Sequence, residues 1–207
     1  MTNLDPRFVA LGPHVFMIQR YDRLADGTRV HQEDFAQVRG VLPERKYGKA
    51  SYEGLARIVG ALCGHDGLLD FMRRVLFAIL SGNDDAHLKN WSLLYPDGRT
   101  PRLAPVYDQI SVREFFRRGE LAFPLAKERS PTRIGWEHLT RIERYLHDHG
   151  LPVPLVAPMR TFVTRCLDHW QQHRLHTGPT YRTKLDRITR ISAHHAHDGS
   201  TIPPTER

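Results

Sequence analysis

The sequence predicts a mainly α-helical chain with one small β-hairpin, and three observations carry that reading. Apolar residues recur at helical spacing over several long stretches, and one of these is apolar on nearly every side. Two short apolar runs, Trp91–Tyr95 and Leu103–Val106, flank a turn that begins Pro96-Asp97-Gly98. Asp-Gly between strand-like runs tolerates the positive φ that a tight reversal needs. A hydrophobic content of 40% in 207 residues matches one ordinary globular domain, or one lobe with a tail.

Taken in order, residues 1–12 read as an irregular lead-in and Val15–Ile18 as a short buried strand. Asp26-Gly27 marks a turn, Val30–Gly40 is mixed polar with a short helix, and Leu42–Ala50 is loop. Ser51 caps a helix running to about Leu62, with Tyr52, Leu55, Ile58, Val59 and Leu62 on one face. Asp66 and Gly67 open the next helix. Its segment Leu68–Leu80 is interrupted only by Arg73 and Arg74, so it reads as central and buried. Ser81-Gly82 breaks that helix and delivers Asp84 and Asp85 at its C-terminal end. Arg113–Arg133, broken by Gly119, Pro124 and Pro131, reads as a long, partly ordered loop. Trp136–His149 is an amphipathic helix ended by Gly150. Pro152, Pro154 and Pro158 form a linker or start the next helix. Leu155–Arg174 and Thr180–His194 read as two more helices, and from His197 onward the chain has almost nothing to bury, as disordered tails do.

The balance of 30 Lys and Arg against 23 Asp and Glu, net +7, suits contact with phosphate, whether of ATP or of a nucleic acid, and equally a solvated helical surface. Cys63 and Cys166 stand alone, without the clustered spacing of a zinc site, and read as buried thiols. No apolar run approaches the ~20 residues that span a bilayer. The start MTNLDPRFVA lacks a basic-then-apolar leader, so the expectation is a cytoplasmic chain with no membrane partner.

The chemistry concentrates between Phe77 and Ser111. Asn90 follows Asp85 by five positions, the hairpin follows Asn90, and Asp108 follows the hairpin. A reversal makes its two ends neighbours, which places Asn90 close to Asp108 with Asp85 just upstream. That layout is the one a kinase uses. One Asp accepts the proton of the attacking hydroxyl, while an Asn and a second Asp hold Mg2+ on the phosphates of ATP. Magnesium prefers the oxygen ligands these side chains supply. Metal-assisted hydrolysis by Asp84, Asp85, His87 and Asp108 is the competing chemistry, and the sequence offers it no further ligand cluster. His194, His195 and His197 read as tail rather than a metal site. There is no G-x-S-x-G, no P-loop and no dinucleotide-binding glycine pattern.

Gly82-Asn83-Asp84-Asp85-Ala86-His87-Leu88-Lys89-Asn90, followed by Leu103-Ala104-Pro105-Val106-Tyr107-Asp108, resembles the C-terminal lobe of HipA-type serine/threonine kinases, the toxins of bacterial toxin–antitoxin pairs. Arg20-Tyr21-Asp22-Arg23, His31-Gln32-Glu33-Asp34-Phe35 and Pro43-Glu44-Arg45-Lys46-Tyr47 look like the same family. By residue chemistry alone, Arg45-Lys46-Tyr47 is a solvated bend. The resemblance covers Val15 to Ser111 well and the remainder loosely.

It implies a protein-kinase-like C-terminal lobe over 22–195, preceded by a lead-in and hinge-like strand over 1–21 and followed by a tail over 196–207. It implies Asp85 as the catalytic residue and Asn90 and Asp108 as Mg2+ ligands. Gln19, Arg20, Tyr21, His87, Leu88, Lys89, Asn90, Tyr107 and Asp108 become the nucleotide-binding set, with ATP and Mg2+ as cofactors. Gln19 stands where the family commonly carries Glu, which matters only if that side chain meets the adenine. The implied partners are a protein with a Ser or Thr acceptor and a helix-turn-helix antitoxin, through which contact with DNA would be indirect.

As the sequence stands, the small lobe's glycine loop and its phosphate-binding Lys have no counterpart, and Lys46 and Lys49 follow the hinge in chain order. The expectation is therefore a fragment, or one half of a split kinase whose N-terminal lobe is a separate polypeptide. The alternative is a catalytically silent remnant that binds an antitoxin or another partner. Each missing preorganised donor is commonly worth roughly 3–4 kcal/mol, so the chain alone is expected to transfer little phosphate.

Overall fold

The computed structural model describes residues 18–113 and 119–173. They fall into two compact units. One joins the residues up to Gly48 with His87–Gln109; the other joins Lys49–Ala86 with the residues from Ile110 onward. The lead-in, Val15–Met17, the Thr180–His194 helix and the tail expected from the sequence lie outside the described residues, as do residues 114–118 of the Arg113–Arg133 segment.

The first unit is built on a three-stranded antiparallel sheet of β1 (His31–Asp34), β2 (Ser92–Tyr95) and β3 (Arg102–Leu103), in the order β1-β2-β3. The expected hairpin forms between β2 and β3, with Leu93 opposite Leu103, but its second strand is only two residues long. The turn is fixed chemically. The Asp97 carboxylate accepts the amides of Arg99 at 2.9 Å and Thr100 at 2.7 Å, and Gly98 takes φ +74°. A hydrogen bond from the Thr100 side chain, followed by these two amides, holds the Asp97 carboxyl down at about 2.

The third strand corrects the sequence reading of Val30–Gly40. His-Gln-Glu-Asp has no apolar alternation, yet the segment pairs with β2 along its whole length. Asp34 then caps α1 (Phe35–Val38), the short helix that was expected, by accepting the Gln37 amide at 2.9 Å. Phe35 is wholly buried, and its amide donates to the Trp91 carbonyl at 2.9 Å.

The second unit is helical. Its longest element, α2 (Tyr52–Ser81), contains both helices predicted from the sequence, joined at Gly64 with φ +70° and ψ −169°. Ser51 caps it through its hydroxyl, 3.2 Å from the Gly54 amide. The first face runs through Tyr52, Leu55, Ala56, Val59 and Gly60, so Leu62 is turned to solvent, 43% exposed, where a buried residue was expected. Gly60 belongs to that face because a Cβ there would lie 2.6 Å from the Leu68 side chain and 2.9 Å from that of Leu151. The second half buries Leu68, Leu69, Phe71, Met72, Val75, Leu76, Ala78 and Ile79, as a central helix should.

Helices α3 (Trp136–Asp148) and α4 (Val156–His173) complete this unit. Leu139, Ile142 and Leu146 form the buried stripe of α3, and Gly150 follows with φ +77°. The start of α4 is capped by Glu143, whose carboxylate accepts the amides of Leu155 at 2.6 Å and Val156 at 2.9 Å. Phe77 of α2 meets Trp170 of α4 with ring centroids 6.1 Å apart.

The segment read as a long loop is anchored where it is described. Leu121, Phe123 and Leu125 are buried. The Tyr52 amide donates to the Pro124 carbonyl at 3.0 Å, and Glu53 accepts the Ala126 amide at 3.1 Å. The first amide of α2 thus finds an acceptor in this segment, and a carboxylate of its first turn accepts an amide from it. Cys63 and Cys166 are half-buried rather than fully buried, and neither forms a disulfide. Among the described residues no helix is long and apolar enough to cross a membrane.

The end of α2 is held from the other side of the long segment. Gly82, at φ +79°, accepts the amides of Val112 and Arg113 at 3.0 Å each. The Arg113 guanidinium then forks onto the buried Asp84 carboxylate, at 2.9 Å from Nε and 2.6 Å from Nη2.

This corner can be tested by denaturation. Gly82→Ala places a Cβ 3.2 Å from Ser111 Oγ in a left-handed backbone conformation, and should cost about 1–2 kcal/mol, read as a lowered urea midpoint. Arg113→Met strands a buried carboxylate and should cost about 3–5 kcal/mol; adding Asp84→Leu should recover most of that loss in the same measurement.

Candidate functional site

The residues that the sequence singles out begin where α2 ends. The Asn83 amide returns to the Ala78 carbonyl at 2.8 Å, and the Asn83 side chain accepts the Asp85 amide at 3.3 Å. The two adjacent carboxylates are then treated differently. Asp84 is buried and committed to Arg113, which gives it a structural task and removes it from the set of free metal ligands considered for hydrolysis. Asp85 is half-exposed. Both belong to the helical unit.

In the sheet unit, His87–Asn90 forms one turn of 3-10 geometry leading into β2. The His87 amide donates to Asn90 Oδ1 at 3.1 Å, and the Asn90 amide donates to the His87 carbonyl at 3.0 Å. Asn90 Nδ2 donates to Asp108 Oδ2, so the hairpin does bring together two residues 18 positions apart. Asn90 is buried, 6% exposed, whereas Asp108 is exposed and takes φ +55°, a conformation that Asp tolerates better than most residues.

Tyr107 fastens the far end of the hairpin to the loop. Its hydroxyl donates to the Lys89 carbonyl at 2.8 Å and lies 2.5 Å from Ser92 Oγ, which must then be the donor of that second bond. Burial pushes the Tyr107 phenol above its ordinary range, so it remains a neutral O–H at physiological pH. The ring of Tyr21 stands 6.0 Å from that of Tyr107, which brings one of the three hinge-like residues to this end of the sheet.

The others are placed differently. Gln19 is exposed, and the guanidinium of Arg20 is bound twice to Asp22, at 2.7 and 2.6 Å. That bonding to Arg20 is the main reason the Asp22 carboxyl titrates below its usual range. Leu88 is fully buried, and its amide donates to the Lys46 carbonyl at 3.2 Å, while Lys89 is exposed.

Residue chemistry along the chain missed one part of this region. Lys46 and Tyr47, which composition alone makes a solvated bend, meet the loop. Lys46 Nζ is 2.8 Å from His87 Nε2, and the Tyr47 ring stands edge-on to the imidazole at 5.3 Å. Only the family pattern around Arg45-Lys46-Tyr47 signalled it.

Asn90 and Asp108 have the chemistry to hold a hard divalent cation. Asn90 Oδ1 spends one lone pair on the His87 amide and keeps another; the exposed Asp108 carboxylate has several. Two oxygen donors, the rest of the shell being water and phosphate, is how Mg2+ is commonly held. Among the described residues no cluster of three or more His, Cys, Asp or Glu side chains is placed to hold a metal.

The HipA-like C-terminal domain family matches residues 4–173. A protein of Sinorhizobium fredii (strain NBRC 101917 / NGR234) named "Putative kinase Y4mE" is 35% identical over 183 residues, covering 80% of this chain and 40% of its own length. A second from that strain, "Putative kinase Y4dM", is 51% identical over 94 residues, covering 45% of this chain and 23% of the relative. A Haemophilus influenzae relative of similar name is 35% identical over 150 residues, or 64% and 42% of the two lengths.

The chain thus spans about a quarter to two fifths of the length of these relatives. A solved structure of the HipA, HipB and operator DNA complex from Shewanella oneidensis MR-1 superposes with a TM-score of 0.65 at 22% identity. It covers 88% of this chain and 50% of that one, and it supports the kinase-like C-terminal fold. The chain belongs to the HipA-like C-terminal domain family.

Proposed function

We propose that the chain is the C-terminal lobe of an ATP- and Mg2+-dependent serine/threonine protein kinase of toxin–antitoxin type. The observation that supports it best is the Asn90–Asp108 contact, in which a buried amide and an exposed carboxylate meet at the mouth of a hairpin. In this reading Asn90 and Asp108 hold the metal, which when bound screens the phosphate charge and orients the γ-phosphate. Asp85 enters on its five-residue spacing to Asn90 and receives the proton of the attacking serine or threonine hydroxyl. Tyr107, a neutral phenol anchored to Ser92 and Lys89, keeps Asp108 at the end of the hairpin and offers an aromatic surface beside Tyr21 for the nucleotide.

The small lobe that a kinase needs for its glycine loop and its phosphate-binding Lys comes, in this reading, from further sequence or from a separate polypeptide. A helix-turn-helix antitoxin is the proposed partner, in line with the assembly of the Shewanella neighbour with HipB and operator DNA. Contact with DNA would then be indirect.

Two measurements test the reading. Asp108→Asn should weaken Mg2+-dependent ATP binding by about tenfold or more, equivalent to ~1.4 kcal/mol, in a calorimetric titration. Unchanged binding would remove the metal role and favour a catalytically silent module that docks an antitoxin. Transfer of radiolabelled phosphate to a protein serine or threonine should be slight for the chain alone. It should rise when a co-expressed upstream polypeptide supplies the small lobe, and Asp85→Asn should then lower it by roughly 10²–10⁴. Undiminished transfer in that variant would take the proton-accepting role from Asp85.

A further inference from the structure

Lys46 reaches the loop by a route that chain order conceals. It follows the short 3-10 turn Pro43–Arg45, in a segment that is otherwise largely exposed. Two bonds tie this segment to the next part of the same unit, some forty residues on: Leu88 N to Lys46 O at 3.2 Å, and Lys46 Nζ to His87 Nε2 at 2.8 Å. An ammonium group has three donors and no acceptor. Nε2 of His87 must therefore accept, and the neutral ring carries its proton on Nδ1. The Tyr47 ring, edge-on at 5.3 Å, walls the imidazole from a second direction, and Lys46 Nζ itself lies 5.0 Å from the Tyr47 ring centre.

His87 is in turn bonded through its amide to Asn90 Oδ1, and Asn90 to Asp108. Lys46, His87, Asn90 and Asp108 are thus linked inside one compact unit, by hydrogen bonds and, between the ring and the amide of His87, by that residue's own covalent frame. This arrangement also changes what His87 can do. With Nε2 filled by a cation, that nitrogen is not available to donate to a phosphate oxygen.

We propose that Lys46 is a positioning residue of this site: by donating to His87 Nε2 it fixes the imidazole tautomer, and with its carbonyl accepting the Leu88 amide it holds the turn of backbone whose His87 amide orients the Asn90 carboxamide. Partners that orient a ligand from behind are commonly worth 10–100-fold in metal affinity. The functional half of this proposal rests on the reading of Asn90 and Asp108 as metal-holding residues; the tautomer half does not.

The test uses the full chain, Mn2+ as the probe metal, and Lys46→Met, which keeps the length of the side chain and removes its donors, beside Lys46→Arg, which restores one. In 15N-histidine NMR, with His87 assigned by a His87→Gln variant, the wild type should show the Nδ1–H tautomer. Lys46→Met should lose that signature and Lys46→Arg should regain it. Mn2+ binding followed by electron paramagnetic resonance should weaken about 10–100-fold in Lys46→Met and return to within about threefold of wild type in Lys46→Arg.

An Nε2–H tautomer in the wild type, or no change in Lys46→Met, overturns the proposal outright. A changed tautomer with unchanged Mn2+ affinity, in a protein whose Asp108→Asn variant no longer binds Mn2+, overturns the positioning role while leaving the metal site standing. Mn2+ binding that survives Asp108→Asn intact sinks the metal reading, and the role of Lys46 in that site with it.

Discussion

The side-chain amide of Asn90 spans two neighbours. Its oxygen accepts the His87 amide at 3.1 Å, and its nitrogen donates to the carboxylate of Asp108. Asn90 is 6% exposed, so an unanswered end would carry the penalty of a buried polar group, about 1–3 kcal/mol. Both ends are answered only when the loop and the far end of the hairpin are in register. The turn at Asp97, the two-residue β3 and the Tyr107 bonds to Lys89 and Ser92 are devices that hold that register. β1 supports β2 from the opposite edge, so the short hairpin need not be stable by itself.

Adjacent carboxylates divided between structure and exposure are a second consequence of the chain's path. Once Gly82 has closed α2, the backbone turns Asp84 inward to meet Arg113 and leaves Asp85 half-exposed. A buried carboxylate gains from a bidentate guanidinium because an unpaired one is costly, so the pairing fixes which of the two can be spent. A carboxylate held by Arg113 could not also serve as a proton acceptor at low cost.

Elements whose side chains advertise their burial were legible in the sequence. The apolar run of α2 after Gly64, the stripe of α3 and the Asp-Gly hairpin all follow from periodicity and turn chemistry. So does the meeting of Asn90 with Asp108, because a reversal forces its ends together. β1 was not legible, since His31–Asp34 joins the sheet through backbone bonds and its side chains carry no alternating apolar signal. Nor was the anchoring of residues 119–133, which depends on the Tyr52 amide at the start of α2 and on a Glu53 carboxylate far away in sequence. Leu62 misled for a related reason: the close approach of Leu68 and Leu151 to Gly60 selects a face that residue hydrophobicity alone does not favour.

Lys46 shows the same limit in its sharpest form. Counted along the chain, it lies after the hinge-like residues and has no claim on a loop and hairpin built from residues 87–108. In space its ammonium is 2.8 Å from the ring of His87, inside the loop that carries Asn90. Which charged groups stand beside this loop is therefore decided by folding and not by order along the chain. Lys46 brings the loop a positive group that the imidazole, held neutral as a hydrogen-bond acceptor, does not supply.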